Sequence, residues 1–314
     1  MSLTDRYNRP LLNLRIAITR RCNLKCTYCH REGEESQTAK TEEMTASEIV
    51  RIAKVAVNLG ISRIKLTGGE PLMRKDLNEI VGGIAAIPGL NDLSMTTNGT
   101  LLSDVASELR ICGLKRVNIS LPTLKAEVYS KLTRGNVWDA VRGVKAAVDA
   151  GFNPVKLNMV VLKDVNVEEI HEMMDFARAN GVTLQLIELD PVNVEESYYS
   201  VSHYQLSEYE RMFEQKALAV HTRRFMHNRR VYMLPDVTVE VVHPIENSEF
   251  CMHCTRLRVT SDGKLKPCLM RNDNLVDVLT PMRHGASDAE LKALFFQANG
   301  NRRPYYSSVN APTS

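Results

Sequence analysis

Between residue 12 and about residue 190, two hydrophobic patterns alternate along the chain. Short runs with apolar residues at every second position predict strands. Longer stretches with apolar residues three or four apart predict amphipathic helices. The predicted strands are residues 12–19, 63–67, 92–98, 116–121, 154–161 and 183–189, with helices between them. One helix starts at Thr45, where Glu48 has capping-box spacing; another starts at Asn166, with Glu169 three residues on. Gly60, Gly113, Gly151 and Gly181 stand where helices should stop. Six βα units in succession predict an α/β fold on a parallel sheet, either open or curled into a partial barrel. After about residue 215 the pattern changes to short strand-like runs (218–222, 230–234, 238–242), an amphipathic helix (288–297) and a polar tail. The expected units are residues 1–215 and 216–314.

Strands of a parallel sheet covered on both faces read as continuous apolar runs. These do not. Leu14, Ile16 and Ile18 alternate with Arg15, Ala17 and Thr19, and Ile64 and Leu66 alternate with Arg63, Lys65 and Thr67. Ser94, Thr96 and Asn98 share a face of the third strand, Asn118 and Ser120 of the fourth, Lys156 and Asn158 of the fifth. A solvated open face is one explanation. The other is a polar lumen. Closed barrels fill their interior with branched apolar side chains, so a lumen lined by Arg15, Lys65 and Lys156 implies a wider, open barrel that takes a polar anion.

Composition narrows the setting. The 314 residues are 44% hydrophobic and 25% charged, as in soluble globular chains, and the net charge of +3 does not point to nucleic acid or membrane. No apolar run is long enough for a membrane span, and the N-terminus has no apolar signal core. The expectation is therefore the reducing cytoplasm, where the seven cysteines are thiols. Six fall in two trios: Cys22, Cys26, Cys29 and Cys251, Cys254, Cys268. Cys112, beside Gly113, is expected as a buried core thiol. His171, His221, His227 and His243 show no partner in sequence.

Cys22-x3-Cys26-x2-Cys29 follows the first strand, at the end where α/β folds place their chemistry. A structural zinc takes four ligands, and His30 could be the fourth. An iron–sulfur cluster held by three thiolates keeps one iron open. Gly68-Gly69-Glu70-Pro71 follows the second strand. Together these segments resemble the CxxxCxxC and GGEP motifs of the radical S-adenosylmethionine (SAM) superfamily. The resemblance implies a partial (β/α)6 barrel and a [4Fe-4S] cluster whose open iron chelates SAM. It also implies a 5′-deoxyadenosyl radical, released by electron transfer into the sulfonium. It places Tyr28, Gly69 and Ser120 against SAM.

The second trio runs Cys251-x2-Cys254-x13-Cys268. Asp262-Gly263 predicts a hairpin; a two-residue turn there pairs Cys268 with Leu257 and returns it toward Cys254. From the trio alone, zinc with His253 as fourth ligand stays open. Arg256 and Arg258, two apart on a strand, point to one side. They are either a solvated hairpin face or, if buried, in need of an anion. With Arg15, Lys65 and Lys156 they make up to five cations toward one cavity. That suits a triphosphate, each charge-assisted hydrogen bond contributing about 1.5–3 kcal/mol.

This cysteine spacing with its Arg-x-Arg resembles the molybdenum cofactor biosynthesis protein A family, the GTP 3′,8-cyclases, over residues 9–270. The family implies a smaller C-terminal domain with a second [4Fe-4S] cluster whose open iron meets guanine. The SAM-derived radical takes the ribose 3′ hydrogen and the sugar radical closes on C8. The product, 3′,8-cyclo-GTP, begins molybdenum cofactor synthesis. Arg15, Lys65, Thr96, Lys156, Arg256 and Arg258 match GTP contacts. An electron donor such as flavodoxin or ferredoxin and a downstream cyclic pyranopterin synthase are the implied partners, and a homodimer is among the assemblies allowed. The chain departs from the family at several positions. Residues 310–314 replace the Gly-Gly end, with residues 302–306 as a substitute device. Pro122 stands for an Asp, Asp190 for a Met, Lys65 for an Arg. A related enzyme acting on a peptide, or a zinc-stabilised binding protein, would share parts of this pattern.

Overall fold

The structure, a computed structural model, describes residues 3–34 and 43–307. Six strands, β1 (Asn13–Ala17), β2 (Arg63–Thr67), β3 (Asp92–Thr97), β4 (Arg116–Ser120), β5 (Val155–Val161) and β6 (Thr183–Glu188), run parallel, each beside its neighbour in sequence. Helices α1 (Ala46–Asn58), α2 (Leu77–Ala85), α3 (Ala106–Ile111), α4 (Ala126–Thr133), α5 (Val137–Asp149) and α6 (Ile170–Ala179) occupy the crossovers. One strand face carries Leu14, Ile16, Leu66, Met95, Ile119 and Leu157, which bury against Ile49, Ile52, Val144 and Ile170 of the helices in one core cluster. Each such side chain contributes about 1.5–3 kcal/mol when fully buried. The apolar half of each alternating strand is thus spent on the helix layer. The polar half is left facing inward.

The C-terminal third extends the same sheet at both edges. Beyond β6 come β9 (Thr238–Val242, parallel), then β8 (Arg229–Met233) and β7 (Ala219–Arg223), both antiparallel. The chain then crosses over, and β10 (Arg256–Val259) lies parallel beside β1, followed by β11 (Lys264–Lys266) and β12 (Val276–Asp277). Among the described residues the sheet has twelve strands, ordered β12-β11-β10-β1-β2-β3-β4-β5-β6-β9-β8-β7.

The Thr45–Glu48 capping box forms as expected. The one expected at Asn166 does not: Asn166 is buried, accepts the Leu162 N–H (2.7 Å) and donates to Pro122 O and Val160 O (2.8 and 2.9 Å), so its side chain ties the β4 and β5 loops. The Asp262-Gly263 hairpin also differs. Thr260 N–H donates to Lys264 O at 2.9 Å, leaving a three-residue loop with Gly263 at φ +73°. A third loop residue in the left-handed region is what such a hairpin requires. The register, Arg258↔Lys266 and Val259↔Leu265, extrapolates Cys268 to the level of Arg256, not Leu257. Cys112 is half-buried against the core rather than fully buried.

Candidate active site

The inward face is dominated by a row of cations. Strand register sets Arg258 of β10 beside Arg15 of β1, Arg15 beside Lys65 of β2, Lys65 beside Ser94 of β3, and Ser94 beside Arg116 of β4. Four cations thus sit at one level of five adjacent strands. Glu32, in a turn after the first cysteines, meets two of them: Arg15 Nη1 donates to Oε1 at 3.2 Å and Arg258 Nη1 to Oε2 at 2.8 Å. Burial alone would raise the Glu32 pKa, but the two guanidinium groups outweigh it and hold it far below the usual carboxylate range. Lys65 donates to Asn118 Oδ1 at 3.0 Å. Burial first, then repulsion from Arg15, Arg116 and Arg256, pushes its pKa well below the ordinary lysine value. Packing this many like charges together is relieved by a bound anion.

The first trio lies in the loop after β1. Its backbone is fastened on two sides. Lys25 and Thr27 N–H donate to the carbonyls of Thr133 and Leu132 (2.8 and 3.0 Å), two of the orphan acceptors at the C-terminus of α4. Gly69 and Glu70 N–H donate to Thr19 and Arg21 carbonyls (2.8 and 2.7 Å). The approach is so close that a Cβ on Gly69 would stand 2.2 Å from Arg21 O. Glu70 is fully buried, accepts from Thr97 Oγ1, Asn98 N and Leu72 N, and so locks this loop to the end of β3. Burial pushes the Cys26 thiol up to about 12, so the free thiol is neutral until a metal displaces its proton.

The second trio surrounds the start of β10. Cys254 differs from the other five cysteines of the two trios, whose pKa values burial raises: burial opposes ionisation here too, but Arg302, Arg9 and Arg256 outweigh it and lower the pKa. Both trios fit a thiolate-held cluster by donor chemistry. Each supplies three sulfurs, and each has a backbone N–H on a sulfur at 3.4 Å: Leu24 N on Cys22, Tyr306 N on Cys251. The adjoining histidines have other bonds. His30 Nδ1 accepts the Glu32 N–H at 3.0 Å, and His253 Nδ1 lies 2.9 Å from Glu249 O. Among the described residues, no group of three or more His, Cys, Asp or Glu is placed to hold a single metal ion.

All six of these cysteines line one cavity, of about 2080 Å³ of empty space counting its open mouth. Tyr28, Gly69, Ser120, Arg15, Lys65, Thr96, Lys156, Arg256 and Arg258 line it too, so every site residue expected from sequence comes to the same chamber. Among the described residues, ten lining side chains are Arg or Lys against three Asp or Glu, which selects for an anion. Asp190 is in the wall, with Oδ1 accepting the Val192 N–H at 2.9 Å. Residues 303–306 are in the wall as well, whereas residues 310–314 lie outside the described residues.

Sequence reasoning missed part of this wall. Arg223 and Arg229, from the β7–β8 hairpin, line the cavity and share the fully buried Glu240 of β9 with Lys156. His227, which showed no partner in sequence, is also in the wall and stacks on Phe250 with ring centroids 4.2 Å apart. Alternation on β9 and the polar Gln185 on β6 were the signals that could have pointed to Glu240. For the hairpin residues there was none.

Comparison with known proteins agrees with this geometry. A sequence model described as the radical SAM superfamily matches residues 16–177, and one described as molybdenum cofactor synthesis C matches residues 182–308. A probable GTP 3′,8-cyclase of Pyrococcus horikoshii is 50% identical over 313 residues, covering 98% of this chain and 99% of that one. One of Methanocaldococcus jannaschii is 44% identical over 305 residues, covering 97% and 99%. The crystal structure of Streptococcus suis SuiB bound to S-adenosylmethionine shares the fold, with a TM-score of 0.62 at 21% identity over 83% of this chain and 61% of SuiB. The chain belongs to the radical SAM superfamily and, within it, to the family of the probable GTP 3′,8-cyclases.

Proposed function

We propose that this chain is a GTP 3′,8-cyclase, forming 3′,8-cyclo-GTP from GTP in the first step of molybdenum cofactor synthesis. The observation that carries the proposal is the common chamber: both cysteine trios and the cation row open into one space. Cys22, Cys26 and Cys29 hold one [4Fe-4S] cluster, and Cys251, Cys254 and Cys268 the other. When bound, the first cluster with SAM supplies a 5′-deoxyadenosyl radical, and the protein's part is placement and exclusion of water. Tyr28, Gly69 and Ser120 line the SAM end. Arg15, Lys65, Lys156, Arg256 and Arg258 hold the triphosphate, and Thr96 contacts the nucleotide between them. Fixing both ligands in one chamber turns a bimolecular hydrogen transfer into an effectively unimolecular one.

A peptide substrate would not need this cation row, which favours the nucleotide. Residues 1–215 form the SAM-binding unit and residues 216–314 the second-cluster unit in this proposal. The enzyme works in the cytoplasm with a flavodoxin- or ferredoxin-type donor, and a cyclic pyranopterin synthase consumes its product. Among the described residues no helix is long and apolar enough to cross a membrane. Anaerobic protein given SAM, reductant and GTP should consume GTP in step with 5′-deoxyadenosine formation. Deoxyadenosine released while GTP stays constant would contradict the assignment. Arg256→Ala should weaken GTP binding about 10–100-fold, the loss of one or two charge-assisted hydrogen bonds. SAM binding should change less than about twofold, and calorimetry with each ligand checks both.

A further inference from the structure

Beside the second trio, the N-terminal arm and the last described segment of the chain meet. Arg302 is 1% exposed and heads the largest fully buried side chains. Its Nη1 donates to Arg9 O and to Asn299 Oδ1, both at 3.1 Å, and its Nη2 donates to the carbonyl of Cys254. Arg9, also buried, donates Nη1 to the carbonyl of Cys251 at 2.8 Å. Asp5 lies between the two guanidinium groups, 2.8 Å from Arg9 and 3.5 Å from Arg302. The carbonyls of both cysteines in the Cys-x2-Cys turn therefore end on buried arginines. One carboxylate serves two cations, which leaves net positive charge beside the sulfurs. Burying a cation that is only partly neutralised is costly, and a nearby anion would offset that cost. Arg302 also leads directly into residues 303–306, where Tyr306 N–H reaches Cys251 Sγ at 3.4 Å.

We propose that Arg302 is a positioning residue for the second trio. With Arg9 it fixes the turn through its carbonyls, so that the thiols are held in place before metal arrives, and the charge left over by Asp5 offsets the negative charge of a three-thiolate cluster. This rests on the assignment of a cluster to Cys251, Cys254 and Cys268. Arg302 acts through backbone carbonyls and one spanning guanidinium, which only a planar fork can do.

The test is iron content after anaerobic reconstitution of full-length chains. When Cys22, Cys26 and Cys29 are all changed to Ala, only the second trio can load, to about four irons per chain. Adding Arg302→Met should reduce that to below about one, and Arg302→Lys, which keeps the charge but loses the fork, to roughly half. When Cys251, Cys254 and Cys268 are changed instead, Arg302→Met should leave the first trio at about four irons, which shows the fold intact. Unchanged iron at the second trio, or equal loss at both, overturns the proposal. If the second trio takes up no iron even with Arg302 present, the cluster assignment itself has failed and this proposal falls with it.

Discussion

Glu240 shows how much a single buried carboxylate can organise. It is fully buried and holds Lys156, Arg223 (3.0 Å) and Arg229 (3.5 Å), all three of which line the chamber. Burial alone would raise its pKa, but the three cations pull it down to about 2. Its contribution is therefore fully present above the ordinary carboxylate pKa of about 4.3 and lost as pH falls from there toward 2. The metal-free protein should therefore lose the stability that Glu240 supplies as pH falls below about 4.3. Glu240→Gln should cost about 3–5 kcal/mol, because it strands buried cations, and should flatten the acid limb. A variant that melts like the parent at both pH 7 and pH 4 would show that the cluster is not coupled to stability. The pairing of Lys156 with Glu240 was not legible in sequence. Lys156 and Glu240 are 84 positions apart and meet only through the β5–β6–β9 pairing. Arg15, Lys65 and Lys156 were legible because each breaks an otherwise apolar alternation on a strand.

The elements that carry the first trio are the loop after β1, the loop after β2 and the end of α4. Their closeness depends on Gly69, where any side chain meets Arg21 O at 2.2 Å and Arg20 O at 2.6 Å. Gly69→Ala should displace the cysteine loop, lose iron from the first trio and weaken SAM binding at least about tenfold, the cost of one or more lost hydrogen bonds. Iron in the second trio should remain. Iron counts unchanged at both trios would mean the loops move apart without cost. The βα units were readable because the period changes from 2 to about 3.6 along the chain. Turn chemistry was less so. Asp-Gly serves both two- and three-residue hairpins, and the choice of three follows here from Thr260 closing on Lys264. Asn166 has the composition of a cap but its tertiary partners, Pro122 O and Val160 O, take its side chain.

At the scale of the molecule, function follows from one feature of topology. The chain after β6 adds three strands to one edge of the sheet, crosses over and adds three to the other, which sets β10 with its Arg256 and Arg258 next to Arg15 of β1. Two cysteine groups more than 200 positions apart thereby open into one charged chamber. In the proposed function SAM and GTP react in that chamber by direct contact. The sharpest measurement uses GTP deuterated at C3′ with SAM and reductant, followed by mass spectrometry of the deoxyadenosine. Deuterium should appear in the 5′-methyl group of the deoxyadenosine, one atom per GTP consumed. Unlabelled deoxyadenosine, with the deuterated GTP recovered intact, would contradict the account.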